Sequence, residues 1–157
     1  MKIKSQAEIK KTAEDLRKEG NVLVTTNGSF DILHIGHIRY LQEAKRQGYV
    51  LIVGLNSDVS VKKYKGPDRP IIPEKERVEM LAALECVDYV VLFDQPEIAT
   101  PLIELVKPNV HVNGEEYGEN CVEAPAVKKV GARLHLIKRI GDFSTTNFIK
   151  KFCKIKR

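Results

Sequence analysis

The sequence predicts a doubly wound α/β fold on a five-stranded parallel sheet, and three observations carry that reading. Val22–Thr25 and Val50–Leu55 are continuous apolar, β-branched runs, the pattern of central parallel strands covered on both faces. Segments with apolar residues at helical spacing alternate with such runs along the whole chain. Between the first run and the helix after it lies Asn27-Gly28, a turn signal between strand and helix.

Taken in order, Ser5-Gln6-Ala7-Glu8 is a capping box, and Ile9, Ala13 and Leu16 form a helical stripe that Gly20 stops. This helix precedes the core and is expected to pack outside the sheet. The strand Val22–Thr25 follows, then a helix over about 35–47 with Ile38, Leu41 and Ala44 facing inward, ended by Gly48. The strand Val50–Leu55 ends at Asn56-Ser57-Asp58. Residues 59–72 carry Lys62, Lys63, Lys65 and Arg69, and Gly66-Pro67 and Pro70 argue against regular structure in the second half. Pro73 opens a helix with acids in its first turn and a buried stripe of Val78, Leu81, Ala82 and Leu84. Tyr89–Leu92 is the third strand, and Thr100-Pro101 caps a helix running to Val106. Val110–Val112 is the fourth strand, ending at Asn113-Gly114-Glu115, and a helix over 124–130 closes at Gly131. Arg133–Leu136 is the fifth, after which Ser144 caps a last helix ahead of a basic tail over 150–157.

The 157 residues suit one domain spanning 1–157, with the N-terminal helix as an appendage to its core. With 43% hydrophobic and 30% charged residues the composition is that of a soluble globular protein, and no apolar run approaches the roughly 20 residues that span a bilayer. The first residues lack the apolar stretch of a signal peptide, so the expected compartment is the cytoplasm. Cys86, Cys121 and Cys153 lie far apart without a C-x-x-C, which argues for separate thiols rather than a disulfide framework or zinc site. The net charge of +5 is spread over both termini and one loop, favouring small anionic ligands over nucleic acid.

Strand, glycine turn and helix N-terminus form a phosphate-binding geometry, because free N–H groups and the positive end of the helix dipole converge. His34 and His37, three residues apart, share that face. A metal reading lacks a third ligand at suitable spacing. His111 and His135 sit within short apolar strands and read as core or edge residues. Asn56 and Asp58 reach the same sheet edge, and the lysine segment with Arg69 lies just beyond it.

Asn27-Gly28-Ser29-Phe30-Asp31 followed by His34-x-Gly36-His37 resembles the signature of the cytidylyltransferase-like nucleotidyltransferases. Their second signature is matched by Ser144-Thr145-Thr146, with Arg139 ahead of it. The likeness covers roughly residues 22–150. It is closest to the adenylyltransferase domain that makes ADP-activated heptose, through Val24–Gly28, Asn56–Asp58, Val61–Gly66, Arg69-Pro70, Leu81–Glu85 and Phe143–Asn147.

The resemblance implies a Rossmann-like sheet of nucleotidyltransferase type. It assigns His34, His37, Lys63 and Arg139 to catalysis. Asn27, Gly28, Ser29, Phe30, Asp31, Gly36, Asn113, Gly114, Glu115, Ser144, Thr145 and Thr146 would hold the nucleotide. Asn56, Asp58, Lys62, Lys65 and Arg69 would hold the acceptor. The heptose enzymes usually have a glycine and an aspartate near this strand end, and the run here is Asn113-Gly114-Glu115-Glu116-Tyr117. The implied substrates are ATP and a sugar phosphate, with Mg²⁺ held mainly by the nucleotide. The implied partners are a second copy in a homodimer and, since no kinase segment occurs here, a separate sugar kinase. The implied setting is envelope lipopolysaccharide synthesis.

A phosphate monoester is mostly dianionic near neutrality, since its second pKa is about 6. The acceptor is thus already a nucleophile, which fits the absence of a nucleophile–base pair in the sequence. Glycerol-3-phosphate cytidylyltransferase shares both signatures and is the competing enzyme reading. A non-catalytic nucleotide sensor is the competing binding-module reading.

Overall fold

The computed structural model describes residues 1–138 and Ile149. The expected last helix from Ser144 and the basic tail lie, Ile149 apart, outside the described residues. Six parallel strands form one sheet in the order β1-β4-β3-β2-β5-β6. They are β1 (Ile3–Lys4), β2 (Leu23–Gly28), β3 (Val50–Asn56), β4 (Tyr89–Phe93), β5 (Val110–Gly114) and β6 (Arg133–Ile137). The helices are α1 (Gln6–Lys18), α2 (Ile35–Lys45), α3 (Asp58–Lys65), α4 (Glu74–Ala83), α5 (Ala99–Val106) and α6 (Ala124–Val130).

The parallel α/β reading therefore holds, and the sheet has one more strand than the five expected. The addition is β1, whose Ile3 and Lys4 pair with Val90 and Val91. Two residues at a sheet edge carry no periodicity from which to read a strand.

β3 is the centre of the packing, with all seven residues buried. Its pleat sends Leu51, Val53 and Leu55 to one face, against Leu41 and Ala44 of α2 and Val78 and Leu81 of α4. Val50 and Ile52 go to the other face, against Ile9 and Ala13 of α1 and Leu102 and Val106 of α5. α6 joins that second layer through Ala126 and Val127 against Ala99 and Ile103. The capping box of α1 forms as expected, Ser5 and Glu8 each bonding the other's backbone N–H.

Two boundaries differ from the sequence reading. β2 does not break at Asn27-Gly28. Both residues stay in register with Gly54 and Leu55 of β3, and the chain turns only at Ser29-Phe30, where Phe30 has φ 41°. The Phe30 ring folds back over Gly28, and a methyl group there would make a tight contact, 3.1 Å from Phe30 Cε2. α5 begins at Ala99, not behind a Thr100 cap, and its Thr100 N–H donates to the Glu97 carboxylate at 2.9 Å.

Sheet order reverses between β2 and β5, since β3 and β4 lie on one side of β2 and β5 and β6 on the other. β2 and β5 pair only at Val24–Val110 and Thr25–His111. Past that point they part, and at such a reversal an open α/β sheet forms its ligand crevice. Tyr40 of α2 marks the fork: its hydroxyl donates to Val112 O at 3.1 Å and lies 2.8 Å from Thr26 Oγ1.

Candidate active site

A cleft of about 980 Å³ opens at the carboxyl ends of β2 and β5. At one end stand the two histidines. His34 is the N-cap of α2, its Nδ1 accepting the His37 N–H at 3.4 Å. This places the rings in a stack, centroids 3.8 Å apart and 18° from parallel, with the Phe30 ring meeting His37 edge-on at 5.3 Å. Burial, with the charges of His34 and Lys65, lowers the His37 pKa from 6.5 to about 4. At neutral pH His37 is therefore an uncharged imidazole, and its Nδ1 is buried.

The cationic wall comes from α3 and the turn after it. Val61 is buried, and Lys65, four residues on, lies on the same helix face. Its ammonium donates to Ser29 Oγ at 2.8 Å, and burial together with the Arg69 charge pushes its pKa down. Lys62 and Lys63 fall on the outer face, exposed and away from the cleft wall. Of the three lysines, Lys65 is the one that lines the cleft.

Arg69 lines the cleft, but its guanidinium is held by Asp31, with Nε donating to Oδ2 at 2.6 Å. Asp31 is itself fully buried, and its Oδ1 accepts the Ile71 and Ile72 N–H groups at 2.8 Å each. Burial raises the Asp31 pKa, but these backbone donors and Arg69 outweigh it and hold the carboxyl below its usual value. Asp31 is therefore an anchor for the 69–72 turn, beneath the cleft surface.

Asp58 has a comparable place. It pairs with Arg77 at 2.7 Å and does not line the cleft. Arg77 is completely buried and also donates to Ser29 O at 2.6 Å, Asn56 O at 2.8 Å and Ile72 O at 2.9 Å. One guanidinium thus ties the histidine loop, the end of β3, the start of α3 and the Arg69 turn together. Sequence reading passed over Arg77, although it precedes Leu81 by four residues and so shares the buried stripe of α4. Tyr40 was also missed, and its spacing from Gly36 and His37 puts it on their face.

Of the other expected nucleotide residues, Asn27, Gly28, Ser29, Phe30 and Gly36 line the histidine end, and Asn113 and Gly114 line the opposite end. Asn56 also borders the cleft, its amide donating to Ser60 Oγ at 2.7 Å. At Glu115 the structure differs: that residue faces outward, and the carboxylate at the wall is Glu116, folded back over Gly114. A methyl group on Gly114 would lie 2.3 Å from Glu116 Oε2, so it would displace that carboxylate from this position. Glu123, which belongs to no motif in the sequence, is buried at the same end and bonded to the Asn113 amide. Arg139, Ser144, Thr145 and Thr146 lie outside the described residues.

Among the described residues no group of three or more His, Cys, Asp or Glu could hold a metal ion. No described helix is long and apolar enough to cross a membrane. Cys86 and Cys121 are free thiols. His111 is fully buried, as expected of a core histidine, with Nδ1 2.9 Å from Thr25 Oγ1.

The family model for cytidylyltransferase-like proteins matches residues 25–152. The chain belongs to this family, and it is an enzyme of nucleotidyltransferase type. It is 44% identical to the bifunctional protein HldE of Syntrophotalea carbinolica over 96% of its own length and 31% of the relative's. With HldE of Geobacter metallireducens the identity is 46%, over 98% of this chain and 31% of the relative. With HldE of Aliarcobacter butzleri it is 48%, over 95% and 30%. The chain thus spans about a third of the length of these curated relatives. Among solved structures, a lipopolysaccharide core biosynthesis protein from Thermoplasma volcanium GSS1 is 32% identical with a TM-score of 0.60, over 77% of this chain and 98% of that one. A pantoate-beta-alanine ligase from Francisella tularensis, at 17% identity and a TM-score of 0.65 over 95% and 73%, shares the fold alone.

Proposed function

We propose that this chain transfers the adenylyl group of ATP to a sugar 1-phosphate, heptose 1-phosphate, giving ADP-heptose and pyrophosphate for lipopolysaccharide synthesis. The observation that carries the proposal is the convergence of His34, His37, Lys65 and Arg69 on one cleft at the N-terminus of α2. The naming of HldE and of a lipopolysaccharide core protein among the similar chains supports the choice of sugar.

The acceptor phosphate is already dianionic near neutral pH and needs no general base. Its difficulty is charge. Two unit charges about 4 Å apart repel by about 4 kcal/mol at an effective dielectric of 20, and a sugar phosphate meeting a triphosphate multiplies that. The α2 dipole and the Lys65 ammonium offset the repulsion where the phosphates sit. His37, neutral and stacked in place, donates a hydrogen bond to the phosphoryl oxygens without adding a buried charge of its own. Arg69 grips the acceptor phosphate from the turn that Asp31 anchors, and planar guanidinium suits phosphate. Arg139 and Ser144-Thr145-Thr146 are proposed to hold the remaining nucleotide phosphates. Mg²⁺ carried by the nucleotide would supply further neutralisation. The Asp31 oxygens are already bonded to Arg69, Ile71 and Ile72, so Asp31 is not among the residues that would hold that ion.

The test is pyrophosphate release with ATP or CTP against a panel of sugar and polyol phosphates. ATP with heptose 1-phosphate is expected to give the highest kcat/KM. Preference for CTP with glycerol 3-phosphate would replace this reading, and release with no pair would refute it.

A further inference from the structure

The two strands that bound the cleft separate where a side chain stands between them. β2 and β5 pair at Val24–Val110 and Thr25–His111, and the next rung would join Thr26 to Val112. Each strand continues regularly on its outer side, Thr26 pairing with Val53 of β3 and Val112 with His135 of β6. Between them the Tyr40 hydroxyl stands in for the missing rung, 2.8 Å from Thr26 Oγ1 and 3.1 Å from Val112 O. A carbonyl only accepts, so the phenol proton goes to Val112 O and the Thr26 hydroxyl donates to the phenol oxygen. Burial raises the phenol pKa, which keeps that proton in place at any working pH.

Tyr40 reaches the fork from α2, about one turn beyond Gly36 and His37. The first turn of this helix, residues 35–38, has no buried residue, and its apolar anchors Leu41 and Ala44 come later. Tyr40 is the first residue along α2 whose side chain is hydrogen-bonded to a strand, and it is bonded to two. The position of the histidine turn over the strand ends therefore depends on this hydroxyl. The ring also lines the cleft. A phosphate needs donors, however, and the one proton of Tyr40 is engaged by Val112 O. Tyr40 thus acts through the groups it places.

We propose that Tyr40 is a positioning residue for nucleotidyl transfer: its hydroxyl, set between Thr26 and Val112, fixes the first turn of α2 so that His37 meets the reacting phosphate. The inference rests on the reading that puts the phosphates at the histidine end of the cleft. A misplacement of about 1 Å far from the reacting atoms can cost on the order of 100-fold in rate. Lys65 and Arg69, which hold the substrates' charge from other elements, stay in place when this hydroxyl is lost. The effect therefore falls on kcat and not on KM.

Steady-state pyrophosphate release tests it, with whichever nucleotide and acceptor phosphate the wild type turns over fastest, at a temperature well below each variant's thermal midpoint. Tyr40→Phe keeps the ring and removes the hydroxyl, and Thr26→Val keeps the shape and removes the hydroxyl that bonds to it. Tyr40→Phe is expected to lower kcat by about tenfold or more and to change KM for either substrate by less than about threefold. Thr26→Val is expected to lower kcat by about threefold, and to lower it no further in the Tyr40→Phe background, because the two hydroxyls act as one unit. A Tyr40→Phe enzyme that keeps the wild-type kcat and loses only thermal midpoint would make the hydroxyl merely structural and overturn the inference. A raised KM at unchanged kcat would make Tyr40 a ligand contact and overturn it too. So would full multiplication of the two effects in the double variant, since Thr26 would then act apart from Tyr40. A wild type that turns over no pair refutes the proposed function itself, and this inference with it.

Discussion

Acidification is expected to cost this fold about 3 kcal/mol through His37 alone. In the native chain the imidazole is packed among His34, Phe30 and Lys65, and its pKa is about 4 instead of 6.5. The unfolded chain restores the ordinary value. Between those two pH values the unfolded state binds more protons at this position than the native state does. Stability from the neutral ring is therefore fully present above pH 6.5 and is lost as pH falls through the window. At about 1.4 kcal/mol per pH unit, the gap between 6.5 and about 4 corresponds to about 3 kcal/mol. Urea denaturation of the wild type and of His37→Asn at steps between about pH 7.5 and pH 4 measures it. Carboxylates such as Asp31 lose their contribution on the same side, but they do so in both proteins and cancel in the difference. The wild-type advantage should shrink by about 3 kcal/mol over the range. A difference that stays constant with pH would mean that the ring is solvated in the native state, and the argument for a neutral His37 donor would fall with it.

Three further outcomes are expected. His37→Ala should lower kcat by about 100-fold or more, since loss of one oriented transition-state donor costs roughly 2.7–4 kcal/mol, and steady-state turnover reads it. Arg77→Met should destabilise the fold by about 3–5 kcal/mol in denaturant titration, because Asp58 and three backbone carbonyls lose their buried cation; a loss under about 1 kcal/mol would show that the hub is dispensable. Arg69→Ala should raise KM for the sugar phosphate more than KM for ATP, with Arg69→Lys recovering only part; equal changes would remove Arg69 from the acceptor site.

The sheet core was legible because its signal is redundant. A strand such as β3, buried on both faces, needs an apolar run that little else in a soluble chain resembles. β1 escaped because its two residues owe their conformation to Val90 and Val91, over eighty positions away. The start of α5 was misplaced for a similar reason: a threonine before proline reads as a cap, but Glu97 accepts the Thr100 N–H from outside the helix. Among the lysines, charge alone could not rank Lys62, Lys63 and Lys65. The face of α3 determines which of them borders the cleft, and that face is defined only once Val61 is known to be buried.

The site residues show a deeper limit, because the same stretch of sequence mixes groups that border the ligand space with groups that build it. Asn27, Ser29, His34 and His37 line the cleft. Asp31, inside the same motif, is buried below it and bonded to Arg69 and to the backbone of Ile71 and Ile72. Asp58 repeats the pattern through Arg77. The cationic end of the cleft is thus assembled from the α2 N-terminus and, well separated from it in sequence, the last turn of α3 with the 66–72 turn that follows it. Two charged anchors, Asp31 and Arg77, hold these pieces in register, and both contact the turn through Ile72. A cluster of cations would repel itself apart in the absence of substrate. A carboxylate placed underneath, with both oxygens engaged by the protein, stabilises the cluster without offering an anion to the cleft, and so leaves the positive charge available to the phosphates.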